Sequence, residues 1–187
     1  TCFSCHRGNP VPDFIWHAQP ADAHGSFGAG NRDGQNAPSS VVRLASLPNN
    51  PFSSFLESGN NIRVISREAL RSDGPGSSIK DAEKTYGLMM HMSQALNVNC
   101  TFCHNSRSFT AWDQSSPQRV TAWHGIAMVR GLNGTYLDPL KASYPAERLG
   151  PEGDAPKANC STCHQGVSKP LLGAKMLKDY PELKAVR

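Results

Sequence analysis

The sequence is poor in the residues that build a large apolar interior. Hydrophobic residues make up 38% and aromatic residues 7% of its 187 positions, against roughly 45–50% apolar in an ordinary globular domain. Such a chain struggles to bury a sufficient core from side chains alone. No stretch reaches the roughly 18 consecutive apolar residues of a membrane-crossing helix, so no helix here spans a bilayer. No secretory leader is recognisable. Lys and Arg are dispersed, with no basic run interleaved with aromatics, so nucleic-acid binding is unsupported. The formal charge of +4 is modest, and an anionic cofactor would cancel much of it. Long regular stretches are scarce as well, because 16 Gly and 14 Pro interrupt the chain.

What the sequence does have is cysteine, all of it in one pattern. The six cysteines form Cys2-Phe3-Ser4-Cys5-His6, Cys100-Thr101-Phe102-Cys103-His104 and Cys160-Ser161-Thr162-Cys163-His164. Two cysteines separated by two residues and followed at once by histidine are the attachment signature of c-type haem. Both sulfurs can add to the vinyl groups of one porphyrin edge, and His6, His104 or His164 then lies beneath the ring to bind iron. Other readings explain less. Zinc would join two pairs, strand the third and leave the adjacent histidines unexplained. A thioredoxin-like redox pair wants one motif beside a βαβ pattern, which is missing. Disulfides give no reason for the histidines. The expected cofactor is therefore haem c, three in this chain, and three porphyrins supply the apolar bulk that the side chains lack.

The middle motif is the most complete. Met89 stands 11 residues before Cys100, on a segment that reads as a helix from about 80 to 97. Ser78 and Asp81 form its capping box. Tyr86, Met89, Ser93 and Leu96 share one face by their three- and four-residue spacing, ready to lie against a haem plane. Met89 is thus the expected axial ligand opposite His104, a pairing that favours ferrous iron and raises the potential. Met90 and Met92 point elsewhere and read as core. A second helix starts at Ser116, with Pro117 in its first turn, and is expected to stop near Asn133-Gly134. On it, His124 and Met128 share a face and are candidate ligands for the last haem. His91 faces away from Met89, and His17 and His24 fall in loops; all three read as ordinary polar residues.

Elsewhere, Val41 to Ala45 and Ile62 to Ile65 are β-type runs expected to pair as a small antiparallel ribbon, with a helical turn through Phe52, Phe55 and Leu56 between them. The tail carries a possible turn at 174 to 179. The order helix, loop, motif occurs twice, an internal repeat. The fold class expected is a mainly α, loop-rich multihaem cytochrome c. It divides into a first haem segment (1–79), a middle one (80–115) and a last one (116–187). Haem is attached to such motifs outside the cytoplasm, so the bacterial periplasm is the natural setting. A motif that begins at residue 2 leaves nothing upstream to supply a sixth ligand, and the chain is expected to be the carboxy-terminal part of a longer protein.

Several pieces resemble the tetrahaem cytochrome c subunit of the purple-bacterial photosynthetic reaction centre. They are Tyr86-Gly87-Leu88-Met89-Met90, Asn99 to Asn105, Pro117-Gln118-Arg119, Met128-Val129-Arg130, Cys163-His164-Gln165-Gly166-Val167 and Lys178-Asp179-Tyr180-Pro181. Cys5-His6-Arg7-Gly8 and Asn50-Pro51-Phe52 fit too. The resemblance implies a haem wire on the periplasmic face of the photosynthetic membrane, bound to the reaction-centre L and M subunits. It would re-reduce the photo-oxidised special pair and take electrons from a soluble cytochrome c or a high-potential iron–sulfur protein. The three motifs match the family's second, third and fourth haems, and a fourth haem would sit on an absent amino-terminal portion. The haem on Cys100 and Cys103 would be nearest the special pair, with His104 and Met89 as ligands and Arg119 beside it to raise its potential. The resemblance puts the sixth ligands opposite His6 and His164 outside this sequence, against His124 and Met128.

Such a chain would be an electron-transfer protein rather than an enzyme. The rivals are a periplasmic multihaem oxidoreductase, which needs an open haem face with acid–base groups beside it, and a freestanding electron carrier, which needs all its ligands in one chain.

Overall fold

The computed structural model describes residues 2–19, 47–48, 50–64, 78–179 and 181. Among them are α1 (Cys2–His6), α2 (Ile79–Leu96), α3 (Pro117–Gly131), α4 (Cys160–His164) and α5 (Met176–Asp179). α1 and α4 are single turns on two of the Cys-x-x-Cys-His motifs, and the third motif forms a 3₁₀ turn, Cys100–Phe102.

α2 begins where the capping box places it. Ser78 Oγ accepts from the Asp81 amide and Asp81 returns the bond to the Ser78 amide, an arrangement worth about 1 kcal/mol. Bonds from the Ser78 amide and then the Ser78 hydroxyl hold the Asp81 carboxyl below its ordinary range. The helix ends at Asn97, which takes the left-handed conformation (φ 53°). Gly87 sits mid-helix, a placement that costs about 1 kcal/mol relative to Ala. A Cβ there would meet Pro51 Cβ at 3.3 Å and the Pro48 carbonyl at 3.5 Å. Gly87 therefore lets α2 press on two fully buried prolines.

The core joins Trp16, Phe52, Phe55, Leu56, Leu88, Ile126, Val129 and Ala158, residues from all three of the segments expected from the sequence. Burying side chains such as Leu56 and Leu88 stabilises the chain by roughly 2 kcal/mol each. Phe52, Phe55 and Leu56 come from the expected turn, which is a π-helical turn at Ser53–Glu57. Beside them Lys157 is 4% exposed. It is paired with Asp154, lies 3.4 Å from Glu57 and stands 5.1 Å over the Trp16 ring. Trp16 and Lys157 also exchange antiparallel backbone bonds of 3.0 and 2.9 Å. The stretch after the first motif is thereby sewn to the stretch that leads into the last.

Two expectations meet a different structure, and a third falls largely outside the described residues. α3 starts after Ser116 as expected, but the Ser116 hydroxyl donates to the Phe102 carbonyl (2.6 Å) instead of capping the helix. Asn133-Gly134 does not stop the helical path, which continues as a π-helical turn, Leu132–Leu137. The reason is the Asn133 amide. It is buried, it donates to the carbonyls of Leu56 and Ala158 at 3.0 Å, and it accepts from the Ala158 amide at 2.9 Å. Finally, no ribbon is seen among the described residues. Residues 41–46 and 65 lie outside them, and Ile62 offers its carbonyl to Thr85 Oγ1 on α2 (3.1 Å) rather than to a strand. The turn expected in the tail is present as α5.

Candidate haem-binding site

The first and last motifs are built alike. Helical winding puts residues three apart on one side, so Cys2 with Cys5, and Cys160 with Cys163, present their sulfurs together. Asn159 caps α4 through Ser161 and Thr162, and Thr162 Oγ1 bonds back to the Asn159 amide. After each histidine comes a left-handed pair, Arg7-Gly8 (φ 47° and 91°) and Gln165-Gly166 (φ 49° and 83°). Glycine takes such angles freely. The reversal returns a carbonyl to the ring: His6 Nδ1 donates to Asn9 O at 2.9 Å and His164 Nδ1 to Val167 O at 3.0 Å.

The middle motif reaches the same end by another path. Asn99 Oδ1 accepts from the Thr101 amide and hydroxyl and opens the 3₁₀ turn. No left-handed residue follows His104. Turns about Asn105 and Ser108 carry the chain on, and His104 Nδ1 donates to Phe109 O at 2.9 Å. The Phe109 ring stacks on the imidazole, centroids 4.2 Å apart and 2° from parallel.

In all three motifs Nδ1 is thus committed to a backbone carbonyl. That bond fixes the tautomer and leaves Nε2 as the bare lone pair, the arrangement metal-bound histidines need. Burial lowers the pKa of His164 in spite of its bonds to the Val167 and Ser168 backbone, which favours the neutral ligand form. The cysteines differ in setting. Burial pushes Cys160 up to about 12. It also raises Cys103, with Arg119 acting against it. The first and last motifs touch: Cys5 Sγ lies 2.8 Å from Cys163 Sγ, and Arg7 Nη2 donates to Cys163 O at 3.1 Å. The contact between the two sulfurs holds Cys5 low and Cys163 high. α2 packs against α4, and the Gly166 amide donates to Ala95 O at 2.8 Å.

The helices ahead of the second and third motifs keep apolar faces uncovered. On α2, Tyr86 is exposed and Met89 half-buried, while Leu88, His91 and Ala95 turn into the core. On α3, Val120, Trp123, Ala127 and Met128 are exposed at helical spacing. A flat apolar cofactor on these faces, held by paired sulfurs and an Nε2 donor, fits the residues present. His124 is also exposed there.

Arg119 does not form a salt bridge among the described residues. It donates from Nη1 to Ala111 O and Ser115 Oγ, both at 2.8 Å, and stands 5.0 Å over the Trp112 ring. Burial and then the Arg63 charge lower its pKa, with Cys103 acting the other way. His17 Nδ1 is 3.9 Å from Asp154; His24 lies outside the described residues. His91 turns away from Met89 as expected, but into the core: it is 4% exposed, edge-on to Phe52, and burial holds its pKa to about 4. Residue identity does not mark the carbonyls of Asn9, Phe109 and Val167 as histidine partners. The glycine two places after His6 and His164 is the available signal for two of them.

Residues 1–184 match the family model described as the photosynthetic reaction centre cytochrome C subunit. The photosynthetic reaction center cytochrome c subunit of Rubrivivax gelatinosus is 56% identical over 185 residues, 98% of this chain and 50% of that protein. That of Thermochromatium tepidum is 49% identical over 98% of this chain and 45% of its own length. The Roseobacter denitrificans protein is 40% identical over 97% and 50%. The chain spans about half the length of these relatives. With three Cys-x-x-Cys-His motifs, pinned histidines and a match along nearly its whole length, the chain belongs to the photosynthetic reaction centre cytochrome c subunit family.

Proposed function

We propose that this chain holds three haems c and relays single electrons to the photo-oxidised special pair of a photosynthetic reaction centre. Cys2 and Cys5, Cys100 and Cys103, and Cys160 and Cys163 would form the thioethers, and His6, His104 and His164 would each offer Nε2 to iron. Haem bound there supplies a reversible one-electron iron couple. The residues then set its potential. Met89 would offer its thioether to the iron of the middle site, a ligand that favours ferrous iron. Arg119 places a fixed cation beside Cys103 and disfavours the added positive charge of the ferric state. Carbonyl bonds to Nδ1 keep each histidine oriented and limit rearrangement when the charge changes. A fourth haem, and the sixth ligands opposite His6 and His164, would come from the part of the protein that the relatives have in addition.

The observation that carries this reading is the shared setting of His6, His104 and His164, each with Nδ1 bonded to a backbone carbonyl at 2.9–3.0 Å. It supports three Nε2 donors, each directly after a cysteine pair, as a set of haem-iron sites needs. The partners proposed are the L and M subunits and, as donor, a soluble cytochrome c or high-potential iron–sulfur protein, at the periplasmic face of the membrane. Flash illumination of membranes containing this protein and its reaction centre tests the proposal. The expected result is absorbance bleaching from haem oxidation after each flash. Haems that stay reduced beside a photo-oxidised special pair would overturn it.

A further inference from the structure

The middle histidine is held by one residue twice over. Phe109 accepts the His104 Nδ1 proton at its carbonyl (2.9 Å) and lays its ring parallel to the imidazole at 4.2 Å. Among the described residues, neither His6 nor His164 has a ring stacked on it. A single hydrogen bond to Nδ1 leaves the imidazole free to rock about the bond axis. A parallel ring against one face removes that freedom, because rocking would break the stack. Phe109 is also 45% exposed, so it contributes little to the core and its main partner is His104. The loop supporting it is ordered from within, by Arg107 N to Asn105 Oδ1 (3.0 Å), Ser108 N to Asn105 O (3.1 Å) and Ala111 N to Ser108 O (3.0 Å).

We propose that Phe109 is a positioning residue that fixes the rotational setting of the His104 ring, and with it the electronic signature of the middle site. This rests on the proposed function, since it requires His104 Nε2 to bind iron. The plane of an axial imidazole decides which iron d orbitals it overlaps. That setting is read in the g values of low-spin ferric iron and contributes to the potential, a readout distinct from haem content.

The test uses the full protein in its reaction-centre complex. Phe109→Leu keeps the backbone carbonyl and removes the ring; Phe109→Tyr keeps both. The expected result is full haem content in both variants, with the middle haem's g values and midpoint potential shifted in Phe109→Leu and native in Phe109→Tyr. Native g values in Phe109→Leu, or shifted ones in Phe109→Tyr, would overturn the inference. If Phe109→Leu loses the middle haem, Phe109→Met fills the space without a flat ring and is read in the same way. A wild-type protein with fewer than three haems would instead sink the proposed function, so the two failures are distinguishable.

Discussion

The outer two motifs and the middle one solve the same problem with different local structures. At His6 and His164 the chain turns back through a left-handed pair ending in glycine, and a carbonyl three residues on receives Nδ1. At His104 the chain wanders through polar turns for five residues, and one phenylalanine supplies both the carbonyl and a stacked ring. The surroundings differ in parallel. The outer motifs lean on each other through Cys5, Cys163 and Arg7. The middle one lies between α2, which carries Met89, and α3, which carries Arg119 and whose Ser116 bonds the Phe102 carbonyl. Outer histidines are set by backbone geometry that the two motifs share; the middle histidine has a backbone carbonyl too, and in addition a stacked side chain that can be changed by substitution. On the proposed function, the second arrangement would let the middle site take a potential of its own.

Breaking the distinctive chemistry of the middle site has the largest expected effect. Met89→His exchanges thioether for imidazole and should lower the middle potential by a substantial part of the ~0.8 V that axial ligands span, with the other two haems almost unmoved. A redox titration resolved by haem checks this. An unchanged titration removes Met89 as ligand.

A smaller effect sharpens the same contrast from the other side. Gly166→Ala forces a Cβ onto φ 83° and should destabilise the last motif by about 1–2 kcal/mol. Gly125, helical and with no atom within 4 Å of the place a Cβ would take, is the control: Ala there should be neutral or stabilising by up to about 1 kcal/mol. Unfolding midpoints of the haem-loaded variants give both values, and equal midpoints would contradict the role assigned to the left-handed pair.

The three Cys-x-x-Cys-His motifs are legible in the sequence because each is written in consecutive residues. The α2 helix was legible for a similar reason, since Ser78 and Asp81 meet within one turn. The start of α3 was visible in Ser116-Pro117, but not that the Ser116 hydroxyl would serve Phe102. What stayed hidden depends on distant chain. Asn133 reads as a helix stop, yet its amide finds Leu56 and Ala158 and the helical path goes on. His91 reads as an ordinary polar residue, yet it lies in the core with Phe52 from another segment edge-on to it. The Nδ1 acceptors are backbone atoms, which no residue name reveals. Phe109 was unmarked for the same reason: its importance lies in the path that folds it onto a histidine five residues earlier.

The most direct measurement is the number of thioether-linked haems on the intact chain, by mass spectrometry calibrated against reduced pyridine haemochrome absorbance. Three haems, lost one at a time as the cysteine pairs are replaced by serine, is the result expected. Two or fewer on the wild-type chain would contradict the account at its root.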